Sequence, residues 1–192
     1  EDNGYTKTVV RETKDTIPEK GRIDITITID EGPRTFIKEA IVEGNISEVI
    51  KSEQLFTKLN VVTSSLVKDP KFDPKDFTES DSTLSYKVDP PNPFREYDIV
   101  ADRSYLSLRY ADKGYLAEIE PVTLFNKDLT EVTILYKRAP GKQIKLDGEI
   151  GIIGNNRTKK HIIEKELSKT LTRDKIFSFS ELERSAQNIR DL

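Results

Sequence analysis

The chain contains no cysteine. That excludes disulfides, thiolate metal sites and cysteine nucleophiles. It contains no tryptophan, and aromatic residues make up only 8 %, which argues against a sugar-stacking cleft. His161 is the single histidine. With no cysteine or suitably spaced carboxylate pair beside it, it builds no metal site. No apolar run reaches the roughly 18 residues of a membrane-spanning helix, and no signal-peptide pattern opens the chain. Neither sign of charge dominates: 31 Lys and Arg against 34 Asp and Glu give a net charge of −3. The charges are mixed along the chain, so the basic footprint that nucleic acid requires is missing.

Catalytic constellations are missing too. No G-x-S-x-G or comparable nucleophile setting occurs. Glu118 and Glu120 are two apart on an expected strand and share a face, but a solvated strand surface explains them better than an acid–base pair. The chain is therefore expected to be no enzyme and to use no cofactor or metal.

Hydrophobic residues are 35 % and charged residues 34 % of the 192. The Ile, Val, Leu and Phe lie in patterned runs, which speaks against disorder. Small domains side by side, each with a thin core, suit this length and polarity.

Residues 22–30 read Arg-Ile-Asp-Ile-Thr-Ile-Thr-Ile-Asp. This period-2 alternation of β-branched residues predicts a half-buried strand. Residues 5–13 predict its hairpin partner across the loop 17–21. A third strand is expected over 35–43. A helix follows over 47–60, with Ser47 as N-cap and Val49, Ser52, Phe56 and Leu59 on one face. Another helix spans 95–112, with Tyr97, Ala101, Tyr105 and Leu108 as its apolar stripe and Gly114 ending it. Strands over 116–125, 130–137 and 145–153 come next. Helices over 158–170 and 180–191 close the chain, the last with a capping box in Ser180-Glu181-Leu182-Glu183.

These elements recur. Gly4-Tyr5 returns 110 positions later as Gly114-Tyr115, and Gly44-Asn45 returns at the same offset as Gly154-Asn155. Arg103-Ser104 returns only 81 positions later as Arg184-Ser185. A fixed-period repeat marks a copied supersecondary unit. The unit is strand, helix, helix, strand, strand. Residues 1–33 supply its last two strands, 34–140 a complete copy, and 141–192 a strand and two helices. The shorter second offset places an insert within about 61–92. That stretch is rich in Asp, Ser, Thr and Pro and reads as a long loop, with short strands at 61–67 and 83–88. The partial first copy is expected to expose Ile23, Ile25, Ile27 and Ile29, and exchange between two molecules would cover them.

Gly154-Asn155-Asn156-Arg157-Thr158, a strand end running into a helix, resembles the POTRA domain. So does the helix end Arg109-Tyr110-Ala111-Asp112-Lys113-Gly114-Tyr115 that leads into two strands. The resemblance implies an α+β fold of tandem POTRA repeats, each a three-stranded mixed sheet with two helices on one face. Tandem copies resemble the periplasmic arm of the BamA-like outer-membrane β-barrel assembly factors. That family implies a scaffold on the periplasmic side of the bacterial outer membrane. It also implies unfolded β-barrel proteins and accessory lipoproteins as partners, and a soluble arm on a parent chain anchored by a C-terminal barrel. Two-partner secretion and TamA-like transporters carry the same domain and form the alternative. The resemblance further implies that clients add as a strand to the edge after the second helix. Here that edge is Leu116, Glu118, Glu120, Val122 and Leu124, with residues 5–13 as its counterpart in the first copy.

Overall fold

Alternating β-branched residues build the first hairpin where expected. In the structure, a computed structural model, β2 is Arg22–Asp30 and pairs antiparallel with β1, Val9–Ile17, with Val10 opposite Ile29. The structure describes residues 3–17, 21–44, 55–63, 74–80, 82–139, 141–148, 150–167, 169 and 171–192. Ile23, Ile25, Ile27 and Ile29 share one face of the hairpin and are 53 to 62 % exposed. The strand expected from Tyr5 begins only at Val9, because Tyr5 is held in a lone bridge with Arg34.

Among the described residues the main sheet has five strands, in the order β4 (Phe77–Glu79), β5 (Thr83–Pro93), β3 (Phe36–Glu43), β7 (Glu131–Arg138) and β6 (Ile119–Phe125). Its expected core is β3 (Phe36–Glu43) running parallel to β7 (Glu131–Arg138), which pairs antiparallel with β6 (Ile119–Phe125). A parallel pair needs a long crossover, and the helices between β3 and β7 supply it. The α+β class stands, and the described residues keep the strand, helix, strand, strand part of the expected order. Within the insert, the short strand expected over 83–88 forms as part of β5 (Thr83–Pro93), and β4 (Phe77–Glu79) joins it unexpectedly. Both lie on the far side of β3, so the sheet has two strands more than the three expected. Residues 64–73 of the insert lie outside the described residues. No strand forms at Val61 and Val62, which lie in a turn and are buried. The expected helix 47–60 falls mostly on 45–54, outside the described residues. Leu55 and Phe56 are helical and buried.

Helix α1, Glu96–Ala111, packs on one face of the sheet. The stripe expected at Tyr97, Ala101, Tyr105 and Leu108 is displaced, for Tyr97 is 77 % exposed. The buried positions are Asp98, Ile99, Asp102, Leu106, Tyr110 and Ala111. Two aspartates sit on the inward face, and that hid the face from a hydrophobicity pattern. Each has partners: Arg95 Nε lies 2.8 Å from Asp98 Oδ2, and Asp102 accepts from Asn60, Val61 and Tyr136.

Beyond β7, among the described residues, the expected strand 145–153 is reduced to a bridge between Lys145 and Ile176. A strand persists only through ladder partners. β3 has two of them along its length, whereas among the described residues of 145–153 pairing is confined to Lys145 and Leu146, where the Leu146 N–H donates to the Lys175 carbonyl and the Asp174 N–H to the Leu146 carbonyl. Helix α2 is Lys160–Glu166 and α3 is Phe179–Arg190. The cap of α3 is Ser178, not Ser180, and its hydroxyl accepts from the Glu181 N–H at 3.4 Å.

The repeated Gly-Tyr marks a repeated clasp. The Thr35 N–H donates to the Gly4 carbonyl (2.7 Å), and the Phe94 N–H donates to the Thr35 carbonyl (3.0 Å). Further along, the Ile144 N–H donates to the Gly114 carbonyl (2.8 Å), and the Phe177 N–H donates to the Ile144 carbonyl (3.0 Å). Side chains repeat it: Arg34 Nε donates to the Asn3 carbonyl and Gln143 Nε2 to the Lys113 carbonyl. Glycine is required at both places. Gly4 has φ +90° and a Cβ there would stand 2.6 Å from the Thr35 oxygen; Gly114 has φ +79° and would meet the Ile144 oxygen at 2.8 Å. The second clasp is reinforced by Asp112, whose carboxylate accepts from the Ser180 N–H and hydroxyl, both at 2.8 Å.

Candidate functional site

The ladder between β6 and β7 fixes which backbone groups are spare. The Ala139 N–H donates to the Glu118 carbonyl and the Asn126 N–H to the Glu131 carbonyl, each at 3.0 Å. In an antiparallel ladder the doubly bonded pairs recur every second residue. With Ile119 opposite Arg138 and Phe125 opposite Val132, the even residues Glu120, Val122 and Leu124 turn their N–H and C=O inward to β7. The odd residues Ile119, Pro121, Thr123 and Phe125 turn theirs to the edge of the sheet. Pro121 has no N–H, so the edge presents donors at Ile119, Thr123 and Phe125 and carbonyls at all four.

Side chains of the odd residues point to the helix side. Ile119 is 1 % exposed and belongs to the core. Pro121, Thr123 and Phe125 line a groove of about 400 Å3 with Phe94, Ile99 and Val100 of the α1 end, and Thr6 closes it. The Phe94 and Phe125 rings meet edge to face at 5.5 Å. A second groove of about 610 Å3 shares Val100 and continues past Leu108, Leu116 and Ala117 to Phe179. An extended channel between α1 and the edge of β6 results, mostly apolar, with Thr6 at one end and the first residue of α3 at the other. Arg103 and Glu118 face each other across its rim at 3.9 Å. Both are well exposed, so this pair adds little energy.

The five residues expected to form the receiving edge do not form one surface. Leu116 and Glu118 precede β6 and line the second groove. Glu120, Val122 and Leu124 lie on the opposite face of the sheet, where Val122 pairs with Leu135. Sequence reasoning missed Thr123 and Phe125, with Val100 and Leu108 across the groove. One signal was present: proline sits in a sheet only where its missing N–H faces outward. Pro121 therefore sets the phase of the strand.

Behind the groove α1 is anchored by a buried carboxylate. Asp102 accepts from the Asn60 N–H (2.6 Å), Asn60 Nδ2 (2.8 Å), the Val61 N–H (3.0 Å) and the Tyr136 hydroxyl (3.2 Å). It is 0 % exposed. Burial outweighs these donors and pushes its carboxyl up to about 6. Asn92 Nδ2 holds the same turn by donating to the Val61 and Val62 carbonyls. On the other side, the Arg138 guanidinium is stacked between the Tyr110 and Tyr115 rings at 4.9 and 4.7 Å. Among the described residues no group of three or more His, Asp or Glu is placed to hold a metal ion, and no helix is long and apolar enough to cross a membrane.

No family model and no curated protein matches the sequence. Solved structures do. POTRA3-5 of Haemophilus influenzae BamA superposes with a TM-score of 0.55 at 16 % identity, covering 99 % of this chain and 63 % of that one. POTRA1-3 of the periplasmic domain of Anabaena Omp85 gives 0.37 at 13 % identity, covering 98 % and 65 %. BamA of Haemophilus ducreyi lacking POTRA domains 1-3 gives 0.36 at 17 %, covering 74 % and 20 %. The first of these shows the fold: the chain is built as POTRA domains are. It spans just under two thirds of the length of that structure.

Proposed function

We propose that this chain is a non-catalytic scaffold on the periplasmic side of the outer membrane. It comprises the end of one POTRA repeat (1–33), a whole one (34–140) and the start of another (141–192). It receives unfolded β-barrel polypeptides by strand addition along β6 and serves, with accessory lipoproteins, a parent chain that inserts barrels into the outer membrane. The observation that carries this is the outward backbone of Thr123 and Phe125 running beside an apolar channel. Main-chain pairing accepts many sequences. Clients that share alternation and little else suit such an edge. The channel then takes the alternate apolar side chains of the added strand.

The test is binding of an alternating peptide from a barrel strand, read by fluorescence anisotropy. Val100→Asp places a charge where the two grooves meet, on a side chain already 56 % exposed, so the fold is retained. Affinity should fall about tenfold, the cost of setting one charge against a desolvated apolar segment. Unchanged affinity in the folded variant sinks the site. The POTRA arm of a two-partner secretion or TamA-like transporter, docking one dedicated substrate, is the second reading. It requires a preference for one sequence over shuffled alternating peptides.

A further inference from the structure

The strands of the insert take no part in the channel beside β6. We infer that they are an edge guard: β4 and β5 occupy the second edge of the sheet from within and make it unreceptive, so that in this sheet an extended peptide adds at β6 alone. The inference rests on the strand-addition reading and deepens it.

Without the insert, β3 would be an edge. Its backbone is instead satisfied by β5, with Ala40 opposite Tyr86 and Val42 opposite Leu84. The Gly44 N–H donates to the Ser82 carbonyl at 2.8 Å, which sets the phase of this half of the ladder. Thr83, Ser85 and Lys87 therefore turn their backbone away from β3. β4 meets the first two there: the Ser80 N–H donates to the Thr83 carbonyl at 2.9 Å, and Thr78 pairs with Ser85. β4 itself is three residues long, too short to template a strand of ordinary length.

The other half of β5 extends past β4 and is blunted differently. The Phe94 N–H donates to the Thr35 carbonyl, and Phe36 stands opposite Pro93. By the same alternation Asn92 faces β3 and Pro93 faces away, and Pro91 stands next to Asn92 at the register break of the ladder. Neither proline has an N–H to offer. Short strands and prolines are the devices by which sheets refuse a further strand. β6 differs: seven residues, one outward proline, and donors on both sides of it.

The absence of cysteine makes the test direct, because each introduced thiol reports one place. Thr123→Cys, Lys87→Cys and Thr78→Cys all replace exposed side chains. Each variant is incubated in glutathione redox buffer with a ten-residue alternating Val-Thr peptide carrying one central cysteine. The mixed disulfide at Thr123→Cys should exceed that at Lys87→Cys and Thr78→Cys about tenfold, the effect of two missing main-chain bonds. Comparable yields at Lys87→Cys or Thr78→Cys would overturn the edge guard and leave strand addition standing. No yield above background at any position would overturn both.

Discussion

Asp102 offers the sharpest check on the packing beneath the groove. Replacing it with asparagine keeps the shape. The new amide oxygen, placed at Oδ1, retains both bonds from Asn60. The amide nitrogen then replaces Oδ2, which accepts from the Val61 N–H and the Tyr136 hydroxyl. The hydroxyl turns and accepts, whereas the Val61 N–H is left without an acceptor, a cost of roughly 1–3 kcal/mol. Against this stands the charge. The carboxyl is raised from 3.8 to about 6 by burial. A group raised on folding contributes stability that is complete below its unfolded value and is lost as pH climbs through its folded one. The wild-type chain therefore loses about 3 kcal/mol from Asp102 between about pH 4 and about pH 6, because ionising a carboxyl held above its ordinary range costs about 1.36 kcal/mol for each pH unit that separates the two values. Asp102→Asn removes that loss. Urea denaturation followed by circular dichroism at pH 4 and pH 7 should show the variant weaker at pH 4 and level with wild type, or more stable, at pH 7. A difference between the two proteins that does not change with pH, or that changes in the other direction, refutes the argument.

Other outcomes follow from the ladder and the clasps. Val122→Pro removes an N–H that bonds to Leu135 and should lower stability by about 3 kcal/mol or more, whereas Thr123→Pro, at an outward position like Pro121, should cost under about 1 kcal/mol; urea midpoints separate them. Gly114→Ala puts a methyl 2.8 Å from the Ile144 oxygen at φ +79° and should cost on the order of 1–3 kcal/mol; Gly148→Ala, with nothing within 4 Å of its Cβ, serves as the control and should leave the melting temperature unchanged. Asp112→Ala strips three bonds from the start of α3, two from Ser180 and one from the Ser178 hydroxyl, and should cost about 1 kcal/mol, seen as faster amide exchange at Ser180.

Much of the architecture is written in local pattern. The isoleucine alternation marks β2 from Arg22 to Asp30, and the 110-residue recurrence of Gly-Tyr marks two clasps that share a geometry. The rest depends on pairing. The inward face of α1 carries Asp98 and Asp102, and a carboxylate satisfied by Asn60, Val61 and Tyr136 looks like a surface residue until those partners are in place. Within the insert the strand at 83–88 is legible, but Pro90 and Pro91 cut it short of the end of β5, and nothing in the pattern marks the three residues of β4. β6 is visible in the sequence as a strand, but the residues that face its open side are not. Which of Val122 and Thr123 offers its backbone depends on the ladder with β7, and only Pro121 betrays the phase.

The central claim is that Thr123 and Phe125 pair with an incoming strand. Amide hydrogen exchange at single-residue resolution, with and without a saturating peptide from a barrel strand, tests it most directly. The account predicts that exchange at Thr123 and Phe125 slows on binding, by about tenfold for each net hydrogen bond formed, while Val122 and Leu124, already bonded to β7, change little. Unaltered exchange at Thr123 and Phe125 under saturation would contradict it.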